Sequence, residues 1–365
     1  MFVRPDTDDY RTLFLTGAPL MDTRAPAEFA RGAFPSAQNL PLMNDAEREQ
    51  VGVCYKLRGQ QAAIELGQRL VSGDVRDQRM ASWLAFSKAN PTGYLYCFRG
   101  GLRSSIVQAW LGECGIALPL VRGGYKAMRR FLIDELEQSI DVTRPLLISG
   151  RTGTGKTRVV AALERSIDLE GLARHRGSTF GELPRPQPSQ IDFENALSID
   201  FLKLLALENK RVVLEDEGRL IGKLYLPELL RDKMKTSPMV IVEQSIDDRV
   251  DIILQDYIVD LGNDYTARFG SCGAHKHAKK LQSDLARIRK RLGGLQYQQV
   301  SALMEKAFAQ QSANGDLELH RRWIAELLER YYDPMYDYQL SQRGGEVLFR
   351  GDRTAVIEFA SSPLW

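Results

Sequence analysis

A cysteine followed by a glycine- and arginine-rich stretch has the clearest chemical meaning in this sequence. Cys97 ends an apolar run, and five residues, two of them glycines, separate it from Arg103. Glycines let a loop curl so that its N–H groups converge, and a following helix adds partial positive charge. Arg99 and Arg103 add full charges. This environment favours a thiolate, so we predict that Cys97 is a nucleophile that holds an anionic group against its sulfur.

The alternative role for Cys97 is that of a buried structural cysteine, which is the commoner role of a lone cysteine. That interpretation leaves the flanking glycines and arginines without a purpose. Cys54 and Cys114 lack such a setting, and we predict that Cys114 packs in the core beside Trp110. The Cys-x5-Arg spacing alone fits both a protein tyrosine phosphatase and a sulfurtransferase.

Residues upstream of the cysteine distinguish these two classes. They resemble the pattern of rhodanese-like domains, over about residues 5–138. The resemblance implies that Cys97 carries sulfur or selenium as a persulfide or perselenide. It also places Asp22 and Arg24 near the active site, where they act in the chemistry or hold the loop through a salt bridge. The matching residues are Asp22 and Arg24, Glu28 and Phe29, Gly32, Pro35 with Ala37, and Asn39 to Pro41.

A second motif, in residues 150–157, matches the phosphate-binding pattern Gly-x4-Gly-Lys-(Ser/Thr). It follows an apolar strand pattern and precedes a helical one, which is the expected context for a P-loop. Lys156 supplies a point charge, and Thr157 can reach a Mg²⁺ ion. The glycines that would expose N–H groups to a diphosphate or triphosphate are Gly150, Gly153 and Gly155.

Two further segments are candidates for the same site. Residues 215–217 resemble a Walker B strand end, in which Asp216 or a neighbouring glutamate would assist a metal or water; surface carboxylates are the alternative. His175, Arg176 and Ser178 lie in a basic, hydroxyl-bearing loop that suits a second phosphate-bearing substrate. A purely structural loop is the alternative there.

Residues 275–291 form a basic segment with one acidic residue, Asp284. Its apolar residues recur at helical spacing, so we predict a docked helix whose charges face outward. Such a face binds nucleic-acid phosphates, although a charge run is often only solvated. Cys272, His275 and His277 are a weak candidate for a metal site. The candidate phosphate contacts are Lys276, Lys279, Lys280, Arg287 and Lys290.

Length and composition predict two ordinary globular domains. The chain has 365 residues with a net charge of +2, so nucleic-acid binding requires a local patch. We predict an α/β fold: a rhodanese-like domain over residues 1–138, then a P-loop NTPase-like parallel-sheet domain over residues 139–365 with a helical C-terminal extension. Residues 139–145 are predicted to be a linker, and residues 346–359 a terminal hairpin. The sequence shows neither a membrane span nor a signal peptide, which favours the cytoplasm.

The joint occurrence of these motifs resembles the bacterial tRNA 2-selenouridine synthases over nearly all of residues 5–350. The residues that carry the resemblance are Asp22 to Pro26, Tyr55–Lys56, Cys97 to Gly101, Gly123 to Lys126, Gly150 to Thr157, His175 to Ser178 and Arg291 to Gly294.

The resemblance implies an enzyme acting on 2-thiouridine at the wobble position of the tRNA anticodon. It would replace sulfur by selenium from selenophosphate, after transferring a geranyl group from geranyl diphosphate to that sulfur. The P-loop would hold the diphosphate, with Mg²⁺ at Thr157, and Cys97 would handle selenium. Two rival interpretations are a rhodanese fused to an ATP-dependent kinase or sulfurtransferase acting on RNA, and a noncatalytic P-loop regulator with a redox-sensing cysteine.

Overall fold

The computed structural model describes residues 4–207, 210–362 and 365. The strands in these ranges are short, and most lie in parallel sheets. They are β1 (Leu20–Asp22), β2 (Ala37–Asn39), β3 (Tyr94–Tyr96), β4 (Arg144–Ser149), β5 (Ser166–Ile167), β6 (Arg211–Glu215), β7 (Leu220–Ile221), β8 (Leu224–Tyr225), β9 (Met239–Val242) and β10 (Val347–Gly351).

The helices make up most of the remaining described structure. Up to residue 206 they are α1 (Tyr10–Leu15), α2 (Pro26–Ala30), α3 (Asp45–Leu70), α4 (Gly73–Ala89), α5 (Leu102–Glu113), α6 (Gly124–Val142), α7 (Lys156–Ala161), α8 (Leu169–Ala173) and α9 (Gln190–Leu205). Beyond it they are α10 (Glu228–Thr236), α11 (Ile246–Ile253), α12 (Leu261–Phe269), α13 (Gly273–Leu292), α14 (Gly294–Asn314), α15 (Glu318–Leu327), α16 (Asp333–Ser341) and α17 (Arg353–Ser361). Two π-helical segments, Leu254–Asp260 and Leu328–Tyr332, join α11 to α12 and α15 to α16.

The chain divides into two compact units. The first contains residues 1–139 together with Ser189–Ala206, and the second contains Ile140–Pro188 and Leu207–Trp365. The sequence placed the 189–206 segment in the second domain, whereas Ile199 and Leu202 of α9 pack in the core of the first unit. The predicted linker is also wrong, because α6 continues to Val142 and β4 begins at Arg144.

The first unit is built on a parallel sheet with the order β2-β1-β3. Successive residues of a strand point to opposite faces, and both faces are covered here. Leu20 and Tyr96 belong to one apolar cluster, while Met21 and Leu95 belong to another. This packing holds the end of β3, where Cys97 follows.

The second unit contains a parallel sheet with the order β10-β9-β4-β6-β5. The apolar sequences of β4, β6 and β9 are buried, as expected for central parallel strands. Because the strands are parallel, the loops after β4 and β6 leave the same edge of the sheet. The mixed α/β class with parallel sheets, the P-loop domain and the helical C-terminal region predicted from the sequence are confirmed.

The predicted terminal hairpin is wrong. β10 pairs in parallel with β9, and α17 follows it directly. Asp352, in the middle of the predicted hairpin, caps α17 by accepting a hydrogen bond from the Ala355 N–H at 2.9 Å. Within the described residues, no helix combines the length and the apolar character that crossing a lipid bilayer requires.

Candidate functional site

Cys97 lies directly after β3 and is 3% exposed. The hydroxyl of Ser104 donates to its Sγ at 3.3 Å. Burial opposes ionisation of the thiol, but the Ser104 hydroxyl, the N–H groups of Arg99 and Ser104 and the charge of Arg103 outweigh it and lower the Cys97 pKa. The thiol of Cys97 therefore ionises more readily than that of an unperturbed cysteine. The sequence prediction overlooked Ser104, although it lies at the start of the helix after the cysteine loop.

Residues 124–126 contact the backbone of the cysteine loop. Gly124 has a φ of +58°, and a Cβ on it would lie 2.3 Å from the Cys97 carbonyl oxygen. The N–H of Tyr125 donates to that oxygen at 2.9 Å, and the N–H of Lys126 donates to the Phe98 carbonyl at 2.9 Å. The 123–126 segment, noted in the sequence only through the family resemblance, thus fixes the backbone on which the thiol sits.

The two arginines of the loop differ in their surroundings. Arg103 donates to the Glu28 carboxylate at 2.6 Å, and Arg48 contacts the same carboxylate at 3.1 Å. Arg99 is exposed. Arg103 therefore acts on the thiolate from a fixed position, whereas Arg99 is accessible to an anionic substrate.

Asp22 and Arg24 form a buried ion pair. The Arg24 guanidinium contacts the Asp22 carboxylate at 2.6 Å and also donates to the Gly32 carbonyl at 2.8 Å. The two side chains are 0% and 1% exposed. Of the two roles predicted for this pair, the geometry favours a structural one, in which the ion pair holds the 28–32 segment against β1.

Cys114 lies at the end of α5 and is exposed, so the prediction that it packs in the core is wrong. The helix ends there, which turns the side chain out of the interior. Cys54, on α3, is half-buried.

The three glycines of the P-loop in the second unit have positive φ angles, which glycine adopts readily. Gly153 and Gly155 have φ values of +83° and +80°, and Gly150 has +150°. Lys156 donates to the Gly150 carbonyl at 2.8 Å. These residues line a cavity of about 1130 Å³, large enough for a phosphate-bearing ligand.

Several carboxylates lie close together at this cavity, where Glu170 and Glu217 line the wall. The Thr157 hydroxyl donates to Glu170 at 3.1 Å, and the Glu170 N–H donates to Glu215 at 3.1 Å. Burial, followed by mutual repulsion among these groups, raises the pKa of Glu170 and of Glu215 to about 8 and that of Glu217 to about 7. Glu170 comes from α8, which no sequence motif connected with the P-loop.

Asp216, the predicted acidic partner, also lines the cavity, but its carboxylate already has partners. It accepts from the Ser149 hydroxyl at 2.7 Å and forms an ion pair with Arg343. The P-loop threonine instead contacts the carboxylate of Glu170, and its hydroxyl also acts on Glu215.

The predicted substrate loop reaches the same cavity, which His175, Arg176 and Ser178 all line. Ser178 shares a 3.0 Å hydrogen bond with the Tyr257 hydroxyl, and Arg176 donates to the Asp256 carbonyl at 2.6 Å. His175 is 8% exposed. The loop therefore belongs to the wall of the phosphate cavity.

Comparison with known proteins identifies the family. A family model described as the tRNA 2-selenouridine synthase AAA domain matches residues 143–364. A tRNA 2-selenouridine synthase of Marinobacter nauticus is 55% identical over 363 residues, which cover 99% of each chain. The chain belongs to the tRNA 2-selenouridine synthase family. Further members from Alcanivorax borkumensis and Cupriavidus necator are each 52% identical, covering 99% and 98% of this chain and 100% and 98% of the relatives.

In this tRNA 2-selenouridine synthase family member, the predicted basic helix is α13. Lys276, Lys279 and Lys290 are exposed, as expected. Lys280 is not: it pairs with Asp284 at 2.9 Å, and its side chain is 10% exposed. Arg287 is exposed but contacts Asp284 at 3.1 Å. The prediction that Lys280 faces outward is wrong, because it compensates the one buried carboxylate of the helix.

The weak metal candidate near α13 gains no support. His277 is buried and hydrogen-bonded to the Tyr257 carbonyl at 2.8 Å. Throughout the described ranges of the chain, no group of three or more His, Cys, Asp or Glu residues is arranged to hold a metal ion.

The raised pKa of Glu215 predicts a pH-dependent stability. The native carboxyl stays protonated up to about pH 8, whereas the unfolded chain ionises it near its usual value of 4.5. The free energy of unfolding should therefore fall as pH rises from about 4.5 to about 8. The glutamine in Glu215→Gln cannot ionise, so this variant escapes the loss of stability. Between pH 5 and pH 9, its free energy of unfolding relative to the parent should rise by at least ~1 kcal/mol, which a rise in relative melting temperature would report.

Thermal unfolding of both ligand-free proteins at pH 5, 7 and 9 tests this expectation. Glu305→Gln, on the exposed face of α14, is the control and should follow the parent at every pH. Parallel curves for Glu215→Gln and the parent would show that Glu215 is ionised in the native state.

Proposed function

We propose that this protein converts 2-thiouridine at the tRNA wobble position to 2-selenouridine, with selenophosphate as selenium donor and an S-geranylated intermediate. The observation that carries the proposal is the full-length similarity to tRNA 2-selenouridine synthases, at 55% identity. A thiol with a lowered pKa and a P-loop cavity supply the chemistry that such a route needs. A tRNA substrate favours the cytoplasm. The upstream residues that resemble rhodanese-like domains, together with the Cys97 loop, support a rhodanese-type role for the first unit.

In the first proposed step, the sulfur of 2-thiouridine attacks the allylic carbon of geranyl diphosphate. A carbon–sulfur bond forms, the carbon–oxygen bond breaks, and diphosphate leaves with the bonding electron pair. The uridine loses its N3 proton to balance the charge. The N–H groups of the P-loop and the Lys156 ammonium stabilise the departing diphosphate, where negative charge accumulates.

An apolar pocket adjoining the P-loop supports a prenyl diphosphate as the ligand. Thr152, Tyr257 and Tyr332 line both this pocket and the phosphate cavity. The pocket measures about 30 Å³, so a ten-carbon chain must shift side chains of its wall. Ser178 and Ile253 also line both cavities, and the remaining wall is apolar, with Phe180, Leu281, Trp323, Ile324, Leu327 and Leu328.

The two π-helical segments form part of this wall. Tyr257 lies in one, and Leu328 and Tyr332 lie in the other. Such π turns are rare and often occur at functional sites. The Tyr332 hydroxyl is buried and has no hydrogen-bond partner in the part of the chain that the structure describes. A ligand oxygen at the junction of the two cavities would satisfy it.

Mg²⁺ fits the phosphate cavity in the usual P-loop manner. Magnesium keeps several waters and binds through few protein groups together with substrate phosphates, so a cluster of three protein ligands is not needed. Thr157 and the adjacent Glu170 carboxylate would hold it, and the crowding that raises the Glu170 pKa favours a cation there. The ion would supply positive charge to the phosphates.

In the second proposed step, selenium replaces the geranylated sulfur. Selenium from selenophosphate attacks C2 of the base, the carbon–sulfur bond breaks, and geranyl thiolate leaves. Water then cleaves the phosphorus–selenium bond, which yields 2-selenouridine, geranylthiol and phosphate. Cys97 would assist selenophosphate directly in this redox-neutral step. The other role considered for it, a perselenide carrier, requires a two-electron oxidant that this route does not supply.

Mass spectrometry of nucleosides tests the proposal. The purified protein is incubated with tRNA bearing wobble 2-thiouridine and Mg²⁺, first with geranyl diphosphate and then also with selenophosphate. We expect S-geranyl-2-thiouridine in the first reaction and 2-selenouridine in the second. Product formation that requires ATP hydrolysis would favour the kinase or sulfurtransferase alternative, and no modified nucleoside at all would favour the regulator.

The exposed face of α13 is the proposed contact for tRNA phosphates. Neutralising Lys279 and Lys290 together, as Lys279→Gln/Lys290→Gln, should weaken tRNA binding and reduce the slope of log affinity against log salt by about one to two units. The loss should be similar for cognate and non-cognate tRNA, because phosphate contacts do not read sequence.

Titrations of tRNA at several salt concentrations measure this slope. Lys306→Gln/Arg322→Gln, two exposed residues on α14 and α15, removes the same charge elsewhere and is the control. If both double variants show the slope of the parent, α13 is only a solvated face.

A further inference from the structure

The first unit contains a large groove beside Cys97. The groove has a volume of about 1190 Å³, and Cys97 is among its lining residues. Because Cys97 is only 3% exposed, a substrate approaches its sulfur through this groove. The chemistry of the groove wall therefore bears on what the thiol can act upon.

A long apolar surface lies beside the thiol. Leu102 and Ile106 contribute from α5, close to the cysteine loop, and Val51 and Ile64 contribute from α3. Leu102 is 49% exposed although it is apolar. A persulfide, selenophosphate or unmodified nucleotide offers little apolar surface to cover such a wall.

The shape of the groove comes from a break in α3. Gly59 has a φ of +83° inside this helix, which bends it into two segments. Val51 and Tyr55 line the groove from the first segment, and Ile64 lines it from the second. The bend leaves apolar side chains uncovered, since Tyr55 remains 57% exposed.

The polar part of the groove is strongly basic. Six basic residues and one acidic residue, Glu28, line it. Arg24 is neutralised by Asp22, and Arg103 and Arg48 share Glu28. The exposed basic residues that remain are Arg31, Lys56 and Arg99. An occupant should therefore combine negative charge with an apolar chain.

We propose that this groove binds the S-prenylated nucleotide of tRNA, with the prenyl chain on the apolar wall and the flanking phosphates at Arg31, Lys56 and Arg99. The inference rests on the proposed function, in which the cysteine step acts on S-geranylated uridine. A protein segment would also suit an apolar wall, but the exposed basic residues and the thiol in the groove wall favour a modified nucleotide.

A binding comparison tests the groove without turnover. Anticodon stem-loop RNAs carrying S-geranyl-2-thiouridine or 2-thiouridine are titrated into the full-length protein with neither geranyl diphosphate nor selenophosphate. We expect at least about tenfold tighter binding of the geranylated RNA, since several methylene groups leave water. In Leu102→Asn/Ile64→Asn this preference should fall below about threefold. Val75→Asn, an exposed apolar site on α4, is the matched control and should keep it.

A photoreactive analogue of the geranyl chain locates the bound group independently. After irradiation of the complex, mass spectrometry should find cross-links within residues 51–71 or 102–110. Cross-links only in the second unit, or an unchanged preference in the folded Leu102→Asn/Ile64→Asn variant, would overturn the proposal. The proposal would also be overturned if the parent protein self-associates and the double variant does not, because the apolar wall would then bind a second copy of the chain.

The outcomes also separate this inference from the proposed function. If the parent forms S-geranyl-2-thiouridine and 2-selenouridine but binds both RNAs equally, the groove proposal fails and the proposed function stands. If neither product forms, the proposed function itself fails.

Discussion

Cys97→Ser should reduce 2-selenouridine formation to the background of the assay while leaving the fold intact. Serine has nearly the shape of cysteine, so the small volume beside Ser104 stays filled, but its hydroxyl is not ionised at neutral pH. The lowered pKa of the Cys97 thiol, which prepares the sulfur for reaction, has no counterpart in the variant. Nucleoside mass spectrometry measures the product, and circular dichroism checks the fold.

The other cysteines provide matched controls for this variant. Cys54→Ser and Cys114→Ser change a half-buried and an exposed thiol, and both should retain activity. Cys97→Ser should also still accumulate S-geranyl-2-thiouridine, because the P-loop catalyses that step in the proposed scheme. A normal rate of selenation by Cys97→Ser would show that the thiol has no chemical role.

Lys156→Ala should nearly abolish geranyl transfer. Its ammonium lies at the P-loop, within 2.8 Å of the Gly150 carbonyl oxygen, and stabilises charge on the departing diphosphate. Loss of such a group typically costs ~2–4 kcal/mol in the transition state, or about thirtyfold to nearly a thousandfold in rate. Burial raises the pKa of Glu170 and Glu217, and the positive charge of Lys156 partly offsets this rise. The variant loses that offset. Initial rates of S-geranyl-2-thiouridine formation measure the effect.

A rescue experiment distinguishes a block in the first step from general damage. When S-geranylated tRNA is supplied directly, Lys156→Ala should form 2-selenouridine at close to the parental rate. Lys223→Ala, which removes an exposed lysine of the same unit, should leave both steps unchanged. If S-geranylated tRNA does not rescue Lys156→Ala, the P-loop serves selenation as well.

Local sequence patterns predicted much of the fold. The strands before Cys97 and before the P-loop were predicted correctly, because buried parallel strands produce continuous apolar runs. The stripe of apolar residues in the basic segment predicted α13. The terminal hairpin was wrong because β10 finds its partner in β9, far away in the sequence, and local pattern does not reveal such a partner.

The sequence by itself determined the chemical groups and the family: a thiol in a glycine- and arginine-rich loop, a P-loop with Lys156 and Thr157, and a basic helix. These features are local, because a few adjacent residues set each one. Only the tertiary structure decided which distant groups surround them. It brought Glu28 to Arg103, Glu215 to Glu170, and the Phe180 carbonyl to Lys280. Burial and charge pairing depend on chain segments far apart in sequence, and these interactions set the pKa values and the accessible faces of the site.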